Sequence, residues 1–236
     1  MNSREVMLRE IGLTPIWQAR AVPGAVSDST ATKIAASDAD VAVTIAEPAV
    51  TAIANMSWDE LTASIAQCTA CKLCKTRTNT VPGVGDRSPL WMVIGEAPGE
   101  QEDKRGEPFV GKAGQLLDAM LAAVGKKRGD GVYIANVIKC RPPGNRNPEP
   151  DEIAACEPYL RRQIALAQPK LLLAAGKFSA QTLLNREDTV GAMRASGGNY
   201  ESIPVVVTYH PSYLLRTPTE KAKAWDDLMK ACTLVP

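Results

Sequence analysis

Six cysteines stand in this sequence, and five of them fall into two groups whose spacing suits metal ligation. Cys68-Thr69-Ala70-Cys71-Lys72-Leu73-Cys74 contains two overlapping CxxC pairs, and Cys140 and Cys156 follow on either side of a Pro-rich loop. A CxxC turn lets two thiolates converge on one centre, and a tetrahedral or cubane site takes two more ligands from elsewhere, which Cys140 and Cys156 can supply. Thiolates suit zinc and iron–sulfur centres alike, so by spacing alone a four-thiolate zinc site and a [4Fe–4S] cluster are both open. Either leaves one of Cys68, Cys71 and Cys74 spare, and Cys232 near the C-terminus reads as a small buried hydrophobe.

A second set of residues has the makings of a polar pocket. Gly95-Glu96-Ala97-Pro98-Gly99-Glu100-Gln101-Glu102-Asp103 follows an apolar run, and its glycines let backbone N–H groups approach a ligand closely. His210, the only histidine in the chain, also follows an apolar run, with Pro211 fixing the turn behind it.

The elements that must position these groups alternate in type. Trp91–Gly95, Val132–Val137, Lys170–Ala175 and Pro204–Tyr209 are expected as buried strands, and Ala113–Val124, Asp151–Ala167, Lys177–Asn185 and Thr219–Ala231 as helices. That alternation predicts an α/β fold, a three-layer α/β/α sandwich around a short central parallel sheet. Ligands in such sheets sit beyond the C-terminal strand ends, where the polar segments 95–99, 136–150 and 210–212 all fall.

Ahead of this domain, read as residues 57–236, residues 21–56 lack aromatic residues and any lasting period, and are expected to be a flexible linker. Residues 1–20 place Met7, Leu8 and Ile11 on one helical face, a short tethered helix that docks on the same domain or recruits a protein partner. Residues 1–60 hold four of the 27 Lys and Arg but eight of the 26 Asp and Glu, so the remainder is mildly basic and permits contact with a polyanion. No apolar run is long enough to span a membrane and no signal peptide is present, which predicts a cytoplasmic protein. In a reducing compartment the cysteines point to metal binding rather than disulfides.

Taken together, Gly95-Glu96-Ala97-Pro98-Gly99, the run Gly106 to Gly114, the run Val132 to Pro143 and His210-Pro211-Ser212-Tyr213-Leu214-Leu215-Arg216 resemble the uracil-DNA glycosylase superfamily, within it the family 4 iron–sulfur enzymes. The resemblance covers roughly residues 61–232 in order and spacing. It implies a monomeric DNA repair enzyme of the uracil-DNA glycosylase fold. Such an enzyme flips uracil out of single- and double-stranded DNA and hydrolyses its N-glycosidic bond, leaving an abasic site. It also selects iron over zinc, with Cys68, Cys71, Cys140 and Cys156 as ligands of a [4Fe–4S] cluster, while Cys74 stands where the family pattern asks for no ligand.

The same resemblance implies roles in the pocket. Phe109 stacks on uracil, Asn136 reads its Watson–Crick edge, and His210 donates to the leaving base. Some superfamily members carry an Asp where this sequence has Ala97, so Glu96 and Glu102 are the nearby carboxylates left to orient water or balance charge. Leu214 and Leu215 are candidates for an apolar wedge that fills the gap in the duplex, and Arg141, Arg146 and Arg216 for phosphate contacts. One histidine in the chain rules out the covalent histidine chemistry of another superfamily branch. A wider range of deaminated bases, and a non-enzymatic iron–sulfur protein, are the competing readings.

Overall fold

A computed structural model describes residues 47–235. Six strands form one mixed sheet: β1 (Val84–Gly85), β2 (Trp91–Gly95), β3 (Val132–Asn136), β4 (Leu171–Ala175), β5 (Gly198–Tyr200) and β6 (Ile203–Thr208). Their order is β1-β3-β2-β4-β6-β5. The four central strands are parallel, as expected, and the two edge strands add antiparallel pairs that the sequence reading did not foresee. Both edges are only two or three residues long, too short for the 4–8-residue runs that betray a strand in sequence.

Side-chain alternation along the central strands shows why two faces need covering. Met92, Ile94, Leu172 and Ala174 belong to one apolar cluster, whereas Trp91, Val93, Leu171 and Leu173 belong to the other. On the first face the helix Pro150–Ala167 buries Tyr159, Leu160 and Ile164; on the second, the helices Lys112–Ala123 and Lys221–Leu234 bury Leu117, Leu121 and Leu228. This is the three-layer α/β/α arrangement.

Two further helices join the first face. Trp58–Gln67 starts with a capping box, in which Ser57 and Glu60 exchange side-chain and backbone hydrogen bonds, and it buries Leu61 and Ile65. The helix Glu47–Ala54 places Ile53 in the same cluster. It corrects the expected linker 21–56, because residues 47–54 are ordered by apolar packing that a window without periodicity does not reveal. Residues 21–46 of that linker and the expected helix in residues 1–20 lie outside the described residues. Among the described residues no helix is long and apolar enough to cross a membrane.

Register then sets the site. Gly95 of β2 pairs with Asn136 of β3, and Ala175 of β4 with Thr208 of β6, so the parallel strands end level with one another. The loops after them, starting at Glu96, Val137, Gly176 and Tyr209, are gathered at one end of the sheet. Chain order reverses about β2, which runs first to β3 on one side and then to β4 on the other, and such a reversal opens a crevice there.

Candidate active site

At that end lies a cleft of about 320 Å³ lined by Glu96, Ala97, Glu102, Phe109, Asn136, His210 and Arg216, with Pro142, Asn145 and Arg146 on its outer wall. Its floor is Gly95. A Cβ there would lie 2.3 Å from Asn136 Oδ1 and 2.6 Å from the Phe109 ring, so only glycine lets both side chains share this space. Phe109 also packs against His210, the ring centroids 5.5 Å apart and the planes 29° from parallel.

Asn136 ends β3 and is 2% exposed. Its Oδ1 is buried with no hydrogen-bond partner, a costly state that marks a place reserved for a donor. Beneath it Lys139, itself buried, donates from Nζ to the Asn136 carbonyl, and burial pushes its pKa down to about 8. No sequence signal pointed to Lys139 as a buried lysine, since a lysine in a motif reads as solvated.

His210 caps the helix Pro211–Arg216. Its Nδ1 accepts from the Ser212 backbone N–H at 3.1 Å and lies 2.7 Å from Ser212 Oγ. A backbone N–H can only donate, so Nδ1 is unprotonated and the neutral ring carries its proton on Nε2. Burial, with the Arg216 charge nearby, lowers the pKa to about 4. The ring is therefore a neutral donor at physiological pH, and Nε2 has no protein partner among the described residues.

The two carboxylates differ. Glu102 Oε1 accepts from the Val110 and Gly111 amides at 2.9 and 3.1 Å, which braces the loop carrying Phe109. Glu96 accepts one longer bond, 3.3 Å from the Phe178 amide, and burial raises its pKa above the usual carboxylate range. Gly176 makes room for it: at φ +115° a Cβ would lie 2.4 Å from Glu96 Oε1. Ala97 lines the cleft beside them and offers no functional group.

Behind the cleft Cys68, Cys71, Cys140 and Cys156 pack into the same apolar cluster; Cys74 is not part of it, and Cys232 packs on the opposite face of the sheet. Arg77 Nη1 donates to Cys140 Sγ at 3.1 Å and the Lys139 amide to Cys156 Sγ at 3.3 Å. Burial raises the Cys71 and Cys140 thiols, and Cys156 to about 12. Among the described residues no three His, Cys, Asp or Glu side chains are placed to hold a single metal ion. Four soft donors come from three chain segments, two of them already accepting hydrogen bonds, and thiolate chemistry of this kind suits an iron–sulfur centre.

At the rim two expectations need correction. Leu214 is fully buried and Leu215 is 43% exposed, so only Leu215 is free to act as a wedge. Successive residues of a helix point about 100° apart, and the core took the first of the pair. Arg146 is engaged in a fork on the buried Glu152, 2.9 and 2.6 Å, and so holds the loop rather than a phosphate. Arg141 is partly spent on Asn145 Oδ1 at 2.7 Å, whereas Arg216 is exposed at the cleft mouth.

Residues 82–229 match the family model of the uracil DNA glycosylase superfamily. The type-4 uracil-DNA glycosylase of Archaeoglobus fulgidus is 42% identical, over 74% of this chain and 91% of its own. That of Sulfurisphaera tokodaii is 41% identical over 74% and 83%, and that of Pyrobaculum aerophilum 41% over 73% and 92%. The sheet, the cleft and these similarities agree: the chain belongs to the uracil-DNA glycosylase superfamily, with the type-4 enzymes as its relatives.

Proposed function

We propose that the cleft receives a uracil flipped out of DNA and that each lining group performs one step of its hydrolytic release. The observation that carries this reading is the unpartnered Asn136 Oδ1 beside the Phe109 ring. Uracil presents an N3–H donor flanked by carbonyl acceptors. Oδ1 accepts from N3–H while the amide nitrogen donates to O4, and Phe109 covers the ring face. Cytosine offers an acceptor at N3 and an amino group at C4, so both bonds are lost and buried polar groups stay unpaired.

As the glycosidic bond lengthens, negative charge collects on the uracil and positive charge on the sugar. His210 Nε2–H donates to O2, and because the ring is already neutral this hydrogen bond strengthens as charge develops without any proton leaving the enzyme. Glu96 orients the attacking water and stabilises the sugar cation from its partly desolvated position, while Glu102 keeps the Phe109 loop in place. Leu215 enters the duplex where the uracil has left, and Arg216 with Arg141 meets the phosphates.

Cys68, Cys71, Cys140 and Cys156 are proposed to hold a [4Fe–4S] cluster, with Cys74 outside the ligand set. When bound, it cross-links the segment before Thr76 to the loop bearing Asn145 and Pro142. The acting form is proposed to be a cytoplasmic monomer whose only required partner is single- or double-stranded DNA. The test is release of uracil from oligonucleotides with uracil opposite G, opposite A and unpaired, with His210→Ala and Asn136→Ala alongside. No uracil released by the unmodified protein overturns the proposal.

A further inference from the structure

We infer that Arg128, which stands outside the cleft, is a positioning residue that keeps Phe109 in its stacking pose. This rests on the reading of Phe109 as the partner of the base. Phe109 has φ +55°, in the left-handed region where a side chain with a Cβ is strained. Left to itself the residue relaxes to negative φ, and the ring swings with its backbone. The surroundings must hold the strain in place.

Arg128 supplies that restraint. Its Nη1 donates to the Pro108 carbonyl and its Nη2 to the Phe109 carbonyl, both at 2.8 Å. The guanidinium is itself oriented by Asp118, which accepts from Nε at 3.1 Å. A planar fork reaches two successive carbonyls at once, a geometry that a lysine ammonium does not reproduce. On the other side the Phe109 carbonyl sits so close to Gly114 that a Cβ there would lie 1.8 Å from its oxygen. The carbonyl is thus trapped between a fork and a bare Cα, and the ring above it is aimed over Gly95 and against His210.

Arg128 touches neither the base nor the reacting atoms, so its effect runs through the fraction of molecules with Phe109 in place. The stack forms in the ground state and the transition state alike, and such an interaction appears in KM rather than kcat. Arg128→Met is expected to raise KM for a uracil-containing single strand about tenfold while kcat stays within about threefold. Arg128→Lys, whose single ammonium nitrogen does not span two carbonyls as the planar fork does, falls between.

The deciding measurement is a double-mutant cycle with Phe109→Ala, with circular dichroism confirming that each variant is folded. Once the ring is gone, Arg128→Met should leave KM where Phe109→Ala put it. Unchanged KM in Arg128→Met, or an equal rise in both backgrounds, overturns the inference and leaves Arg128 a purely structural residue. Phe109→Ala with unchanged KM instead overturns the stacking reading itself. Asp118→Asn, which loosens the fork without removing it, should shift KM in the same direction by about threefold and serves if Arg128→Met does not fold.

Discussion

The cleft and the cysteine-lined corner behind it share one strand end, yet they are held in opposite ways. In the cleft several lining groups are already fixed by protein: His210 by Ser212, Phe109 by Arg128, and Glu102 by two amides. Asn136 Oδ1 and the Nε2 of His210 are left for a partner from outside the described residues. In the corner burial raises the Cys71, Cys140 and Cys156 thiols toward the neutral form, so binding a metal there would have to displace their protons. Lys139 lies between the two, donating to Asn136 while its backbone amide meets Cys156. Salt bridges from Lys72 to Glu149 and Asp151 tie the two cysteine segments together, but they are exposed and contribute little each.

The largest test of this contrast is Cys140→Ser. If the corner depends on metal, the variant loses its brown absorbance and its cooperative thermal unfolding together; a colourless protein with unchanged activity and melting removes the dependence. Next comes His210→Ala, expected to lower kcat by roughly 10²–10³ with the fold intact, the usual loss when one donor to a developing anion is removed. A fall in thermal midpoint of similar weight would instead make His210 part of the scaffold.

Smaller again is Leu215→Ala, which should slow release from double strands about tenfold relative to single strands; Leu214→Ala, a core deletion, should lower stability and slow both equally. The mildest is the response to pH. His210 has its folded pKa near 4, below the ordinary 6.5. Between these values the unfolded chain binds the proton and the folded one does not, so stability falls as pH drops through that window. The ring stays neutral meanwhile, and the acid limb of kcat belongs to Glu96, whose pKa burial raises. Glu96→Gln should lower kcat and flatten that limb, seen in a pH profile of both proteins.

Much of this was legible from local pattern. Buried strands announce themselves as short apolar runs, and β2 was readable to the residue; β3 and β4 differed by one residue at one end and β6 by one residue at each end. The order of motifs at the strand ends and the pairing of CxxC with Cys140 and Cys156 were also written in the chain. The edge strands, the helix Glu47–Ala54 and the short helix Val190–Ser196 escaped, because their stability comes from neighbours and not from their own period.

By itself, then, the amino-acid sequence determined the layered fold, the end of the sheet that carries the site, and the residue types that meet there, since periodicity and spacing are properties of neighbours in the chain. Only the tertiary structure decided which of Leu214 and Leu215 faces outward, that Arg146 is committed to Glu152, and that Arg128 reaches across 19 residues to grip Phe109. Those choices depend on what packs against each side chain from elsewhere, and that contact is made only once the layers close.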